Sequence, residues 1–215
     1  MTETRRDPLF DPTREGRSDR STGHRLAPST PAARPTTVLT AVRLRWPTWL
    51  GIGVAVLIGL DLSDGTDLAR AVAGMALIYL GAAALRRPSA TWPVFGAVVV
   101  GIVAAEAIVG DRDATWVLLG LAVPLVAYAL VSGARRSDRS LLAQAIAMLA
   151  FGAVAGVAVA TNNDVGAYLV AVGLLGHAAW DAYHHWANKA VARSYAECCI
   201  VFDALLAAAV VIVTV

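Results

Sequence analysis

Seven apolar stretches, separated by short polar turns, leave this chain few folds to choose from. They run over about 47–63, 68–85, 92–110, 115–133, 141–160, 166–186 and 195–214. Most approach the ~20 residues that carry a helix across the hydrocarbon core of a bilayer. The first is the shortest, because Asp61 interrupts it. Backbone groups in lipid must be satisfied within their own segment, so each stretch reads as a helix. Membrane strands would alternate polar and apolar residues, and these runs do not. The expected fold class is all-α: a polytopic transmembrane helical bundle over residues 46–215. At 57% hydrophobic and 16% charged, the chain also lies well below the roughly one-quarter charge of soluble domains.

Charge placement tests the count of spans. With the N-terminus inside, the inner turns hold Arg86 and Arg87, then Arg135, Arg136 and Arg139, then Lys189 and Arg193. The opposite turns hold Asp61, Asp64 and Asp67, then Asp111 and Asp113, then Asp164, with Arg70 and Arg112 as their basic residues. Sixteen of the 18 basic residues then fall inside, a strong positive-inside bias. Removing one span would break this alternation for every later turn. Seven spans, N-terminus inside and C-terminus outside, follow, and the expected location is the cell (cytoplasmic) membrane.

Residues 1 to about 45 are rich in Arg, Pro, Ser, Thr and Asp and lack apolar periodicity. They read as a disordered basic cytoplasmic tail, since too little apolar surface is present to offset ordering entropy. Besides the bilayer itself, anionic lipid headgroups are the partners expected for its arginines, at about 1 kcal/mol each. Aromatic residues do not interleave with its basic ones, which argues against nucleic-acid binding. A homo-oligomer is left open. The two cysteines, Cys198 and Cys199, are adjacent and point about 100° apart on a helix, so they do not pair with each other.

Small residues four apart, Gly51 with Ala55 and Gly152 with Gly156, suit close helix approach. Pro124 removes one backbone donor from the fourth segment. A weak 49-residue period relates Tyr79 to Tyr128, Arg86 to Arg135, and Arg135 to His184.

The polar residues gather between Gly176 and Asp203. This stretch carries three of the four histidines and both cysteines, along with Asp181, Glu197 and Asp203. On the sixth segment His177, Asp181, His184 and His185 form one stripe at helical spacing. His177 and His185 are ~12 Å apart along the axis, too far for one ion to take both. On the seventh segment Tyr195, Cys199 and Asp203 share a face. Asp203 is ~12 Å in from Tyr195, and His177 is ~13.5 Å in from Trp186, so these two can meet near mid-membrane. A carboxylate facing lipid costs ~2.5–3.5 kcal/mol, which favours inward pairing. The candidate metal site is therefore His177, Asp181 and Asp203. Its cofactor is unknown, with a divalent metal such as zinc as the candidate. His184, His185 and Glu197 lie on a candidate proton or access path from the inner face. Glu106, ~21 Å from Trp92, is its candidate outer step.

The run HAAWDAYHHW…RSYAECC…D resembles uncharacterised multi-pass integral membrane proteins of the actinobacterial type, which implies an envelope location and no particular activity. The last helices are also similar in part to the seven-helix ceramidase and progestin-receptor-like membrane hydrolases. That resemblance implies an intramembrane zinc held by three histidines, beside a serine and an aspartate, with His177, Asp181 and Asp203 supplying part of it. The chain departs from that pattern, since no earlier helix carries a histidine and the fourth, His24, lies in the tail.

Three functional classes follow. The first is a small membrane protein handling a proton or divalent cation, by transport or binding, at the His/Asp site. The second is a metal-dependent membrane lipid hydrolase. The third is a structural or partner-binding protein whose polar pairs join helices. No Gly-x-Ser-x-Gly, P-loop, His-Glu-x-x-His or Cys-x-x-Cys motif is present to identify an enzyme.

Overall fold

The apolar stretches form seven α-helices in a computed structural model that describes residues 42–215, with the side chains of 134–136 outside the description. In chain order they are α1 (Trp46–Asp61), α2 (Ala69–Leu85), α3 (Thr91–Val109), α4 (Asp111–Arg136), α5 (Arg139–Thr161), α6 (Asp164–Ala187) and α7 (Arg193–Thr214). Short 3-10 turns at Gly65–Leu68 and Pro88–Ala90 precede α2 and α3. No strand occurs among the described residues. The expected tail over 1–45 lies outside the described residues up to position 41, and 42–44 form a helical turn leading towards α1.

Six segments, from Gly65–Leu85 to Arg193–Thr214, are long and apolar enough to cross a membrane. The chain thus has the helices of a multi-pass membrane protein. Helix α1, at 16 residues, is shorter. It spans ~24 Å, against a hydrocarbon core of about 30 Å.

Polar residues set the helix ends. Asp138 accepts from the Leu141 backbone N–H to start α5, and Asn163 accepts from Gly166 N–H to start α6. Left-handed residues stop α2 at Arg86, α5 at Asn162 and α6 at Asn188. The helices run up and down. At one end, Arg86 pairs with Asp138 at 2.9 Å and Trp92 Nε1 donates to Ser194 at 3.1 Å. At the other, the Thr66 hydroxyl lies 3.4 Å from Asn162 Oδ1, and Arg70 pairs with Glu106.

Helix α2 is the centre of the bundle. It packs on α3, α4, α5 and α6, and most of its residues, from Val72 to Leu80, are buried. Its alanines and Gly74 let neighbours come close, which in lipid gives dispersion contact where no hydrophobic effect drives association. Helices α6 and α7 form the most extensive pair, and α1 docks on α7. The α1–α7 approach depends on Gly51, where an added Cβ would collide with the Cys198 carbonyl. Ala55, one turn on, is also buried there. Gly152 and Gly156 line the α4–α5 seam, against Leu119 and Trp116. Pro124 lies within a continuous α4.

Gly51→Ala should therefore lower the stability of purified protein by about 1–3 kcal/mol through overpacking. Gly53→Ala, which meets nothing within 4 Å, should leave it unchanged or slightly higher. Thermal unfolding in detergent compares the two.

Candidate functional site

Three helices converge on one buried polar group. From α6 come His177 and Asp181, one turn apart on the face turned towards α7 and α2; from α7 comes Asp203 at the same level. His177 Nδ1 lies 2.9 Å from Asp181 Oδ2 and 3.0 Å from Asp203 Oδ2. All three residues are completely buried. Helix α2 contributes Tyr79, whose hydroxyl donates to Asp181 Oδ1. The Tyr79 and Phe151 rings pack edge-on against the His177 imidazole, at 5.4 and 5.2 Å between centroids.

With both aspartates ionised they accept only, and the hydrogen between them then belongs to His177 Nδ1. Among the described residues, His177 Nε2, Asp203 Oδ1 and the Tyr195 hydroxyl are buried without a hydrogen-bond partner. Among the described residues no lysine or arginine pairs with the group; its ion-pair contacts there are those between His177 and the two aspartates. Ionised together, two carboxylates against at most one imidazolium would leave an excess negative charge in an apolar interior. Such an uncompensated charge costs about 3–5 kcal/mol. One more cation, either a proton on the carboxyl pair or a metal ion, would balance it.

Ligand atoms of His177, Asp181 and Asp203 lie within 4.8 Å of one another, close enough to share one metal ion. A nitrogen and two carboxylate oxygens suit zinc, manganese or iron rather than the all-oxygen shell of calcium or magnesium. Asp203 Oδ1 is a free acceptor at this site, an ion shared by the three residues would take the place of the hydrogen at His177 Nδ1, and Tyr79 holds Asp181 in place as an outer partner does.

The other expected residues lie in separate networks. His184 is buried, but its Nδ1–H donates to the Trp180 carbonyl at 2.9 Å. Its Nε2 accepts from the Gln144 amide at 3.1 Å, while Gln144 Oε1 accepts from Trp180 Nε1 at 3.3 Å. Every polar atom in that triangle is used, with His184 neutral. His185 is half-buried, its Nδ1 3.2 Å from the Arg193 carbonyl. Glu197 accepts from the Thr48 hydroxyl at 2.7 Å and from Arg45 at 3.1 Å, which ties the start of α1 to α7. Glu106 pairs with Arg70 between α3 and α2. Cys198 and Cys199 are free thiols. The serine and further histidines implied by the membrane hydrolases are not among the hydrogen-bonding partners of His177, Asp181 or Asp203.

Sequence reasoning missed Tyr79 and Gln144. Each is a polar side chain within an otherwise apolar helix, which is the available signal. The chain matches no protein-family model and no curated protein, and no solved structure matches its fold.

Tyr79→Phe keeps the ring packing but leaves Asp181 Oδ1 buried without its donor, so it should destabilise the protein by about 1–3 kcal/mol. Tyr128→Phe, at a half-exposed position, should change little. Unfolding midpoints of the two variants in detergent make the comparison.

Proposed function

We propose that this chain is a multi-pass protein of the cytoplasmic membrane that binds one divalent transition-metal ion at His177, Asp181 and Asp203. The convergence of two carboxylates and an imidazole from two helices, fully buried and short of positive charge, carries this reading. A divalent cation there would neutralise the aspartates and draw α6 and α7 together, with Tyr79 orienting Asp181 from α2. The chain's own residues would hold the ion away from water, a role that suits binding or transfer through the bundle.

Purified protein incubated with zinc, manganese and iron at neutral pH should retain about one ion per chain. His177→Ala and Asp203→Asn should lose it, and Tyr79→Phe should weaken retention about 10–100-fold, as loss of an outer partner does. An ion-free wild type would end the metal reading. The short contacts of His177 Nδ1 with both Asp Oδ2 atoms favour a second reading, in which the cation is a proton. Proteoliposomes would then show pH-dependent flux that both site variants abolish. Variants that merely unfold, from a wild type that neither retains metal nor moves protons, would leave the group as a joint between helices.

The same proposal takes α1 as a seventh span, with the N-terminus inside and the C-terminus outside. It rests on the positive-inside distribution and on the up-and-down packing of all seven helices. In a cysteine-free background, Ser140→Cys should react with an impermeant thiol reagent from the cytoplasmic side. Asp113→Cys should react from the opposite side. Reaction of both from one side would overturn the topology.

A further inference from the structure

On the flank of the bundle, α1 and α3 stand apart over a floor made by α2 and α7. They approach at one end, where Trp46 packs on Trp92 with ring centroids 5.4 Å apart. Beyond this contact a cleft of about 490 Å³ opens between them. Its walls are apolar, with Ile58 on α1, Ala71 on α2, Val99 on α3 and Phe202 on α7. Trp92 and Tyr195 line one end, and Arg70 and Glu106 the other. From Trp92 to Glu106 the cleft follows ~21 Å of helix, more than the ~15 Å of hydrocarbon in one leaflet.

The polar end carries both signs of charge. Arg70 gives one N–H to Glu106 and another to the Asp67 carbonyl. A guanidinium has five N–H donors, so three remain for another acceptor. Its side chain is 21% exposed, and that of Glu106 is 24%. The charged groups that line the mouth are Arg70 and Glu106, one guanidinium beside one carboxylate, with Asp67 next to Arg70. A purely anionic headgroup would meet the Glu106 carboxylate as well as the Arg70 guanidinium. A headgroup with a phosphate and an ammonium would suit both, the phosphate on the spare N–H donors of Arg70 and the ammonium on Glu106.

We propose that the cleft between α1 and α3 is a binding site for a zwitterionic phospholipid, with one hydrocarbon chain along the cleft and the headgroup at Arg70, Glu106 and Asp67. The inference rests on the bilayer reading and is independent of the cation site.

The experiment uses the full chain in liposomes containing phosphatidylethanolamine or phosphatidylglycerol with a diazirine on the acyl chain. Labelled peptides are mapped by mass spectrometry after irradiation. Phosphatidylethanolamine should label the peptides around Ile58 and Phe202 several-fold more than the outward-facing Ile146 and Leu149 of α5. Phosphatidylglycerol should label the cleft several-fold less. Ala71→Trp, which fills the floor, should remove the cleft label. Val99→Trp does the same from the partly exposed rim and serves if the first variant does not fold. Arg70→Gln should abolish the preference between the two lipids.

Equal labelling of the cleft and the α5 surface, equal labelling by both lipids, or a cleft label that survives a folded filling variant would overturn the proposal. So would shielding of the cleft by a second copy, seen as a cross-linked dimer with no lipid label. Resistance of the protein to alkaline extraction from membranes is measured alongside. Extraction would sink the bilayer reading itself, whereas resistance with a diffuse label would sink only the lipid site.

Discussion

Placing two carboxylates and an imidazole inside an apolar bundle is the constraint on which the rest of this structure turns. Each group on its own would be costly in lipid, and the cost falls only when partners reach it from other helices. Asp181 therefore needs Tyr79 from α2 and His177 from its own helix, and Asp203 needs His177 across the α6–α7 seam. That requirement fixes the rotation of three helices about their axes. The small residues around them permit the close approach, but alanine and glycine alone would allow many registers. The polar group selects one.

The same logic separates the site from its surroundings. His184 is only seven residues from His177, yet its hydrogen bonds are closed by Gln144 and the Trp180 carbonyl. Tyr79 lies between them, its ring 5.4 Å from His177 and 5.0 Å from His184. Among the described residues, a saturated network thus sits directly beside one in which His177 and Asp203 each keep an unpartnered polar atom. The contrast marks where chemistry has room to occur and where it does not.

Much of this was legible in the sequence. Helix positions followed from hydropathy and were close to those observed, since lipid leaves the backbone no alternative. The meeting of His177 with Asp203 followed from counting helical rise from the two ends of neighbouring helices. What could not be read was which helix lies in the middle. Helix α2 is apolar on every side, so its pattern gives no face, and Tyr79 looked no different from Tyr128. Yet Tyr79 is buried and Tyr128 is 48% exposed. The 49-residue period that relates them therefore does not describe equivalent positions. Glu197 was placed on an access path because only α6 and α7 were weighed; its partners, Thr48 and Arg45, come from the segment farthest away in sequence. Glu106 likewise found Arg70 because α2 and α3 are neighbours, a fact about packing rather than spacing.

The docking of α1 on α7 carries a consequence for how the protein is made. A ribosome delivers α1 ahead of the other six described helices, and its main partner is the last of them to leave. Until then the Gly51 surface has no Cys198 carbonyl to meet, and Arg45 and Thr48 have no Glu197. Helix α1 must therefore wait with its seam open while the five helices between the two are made. The pairing of the first and last of these seven helices comes late, and the cleft beside α1, which α7 helps to floor, comes into being only with that step.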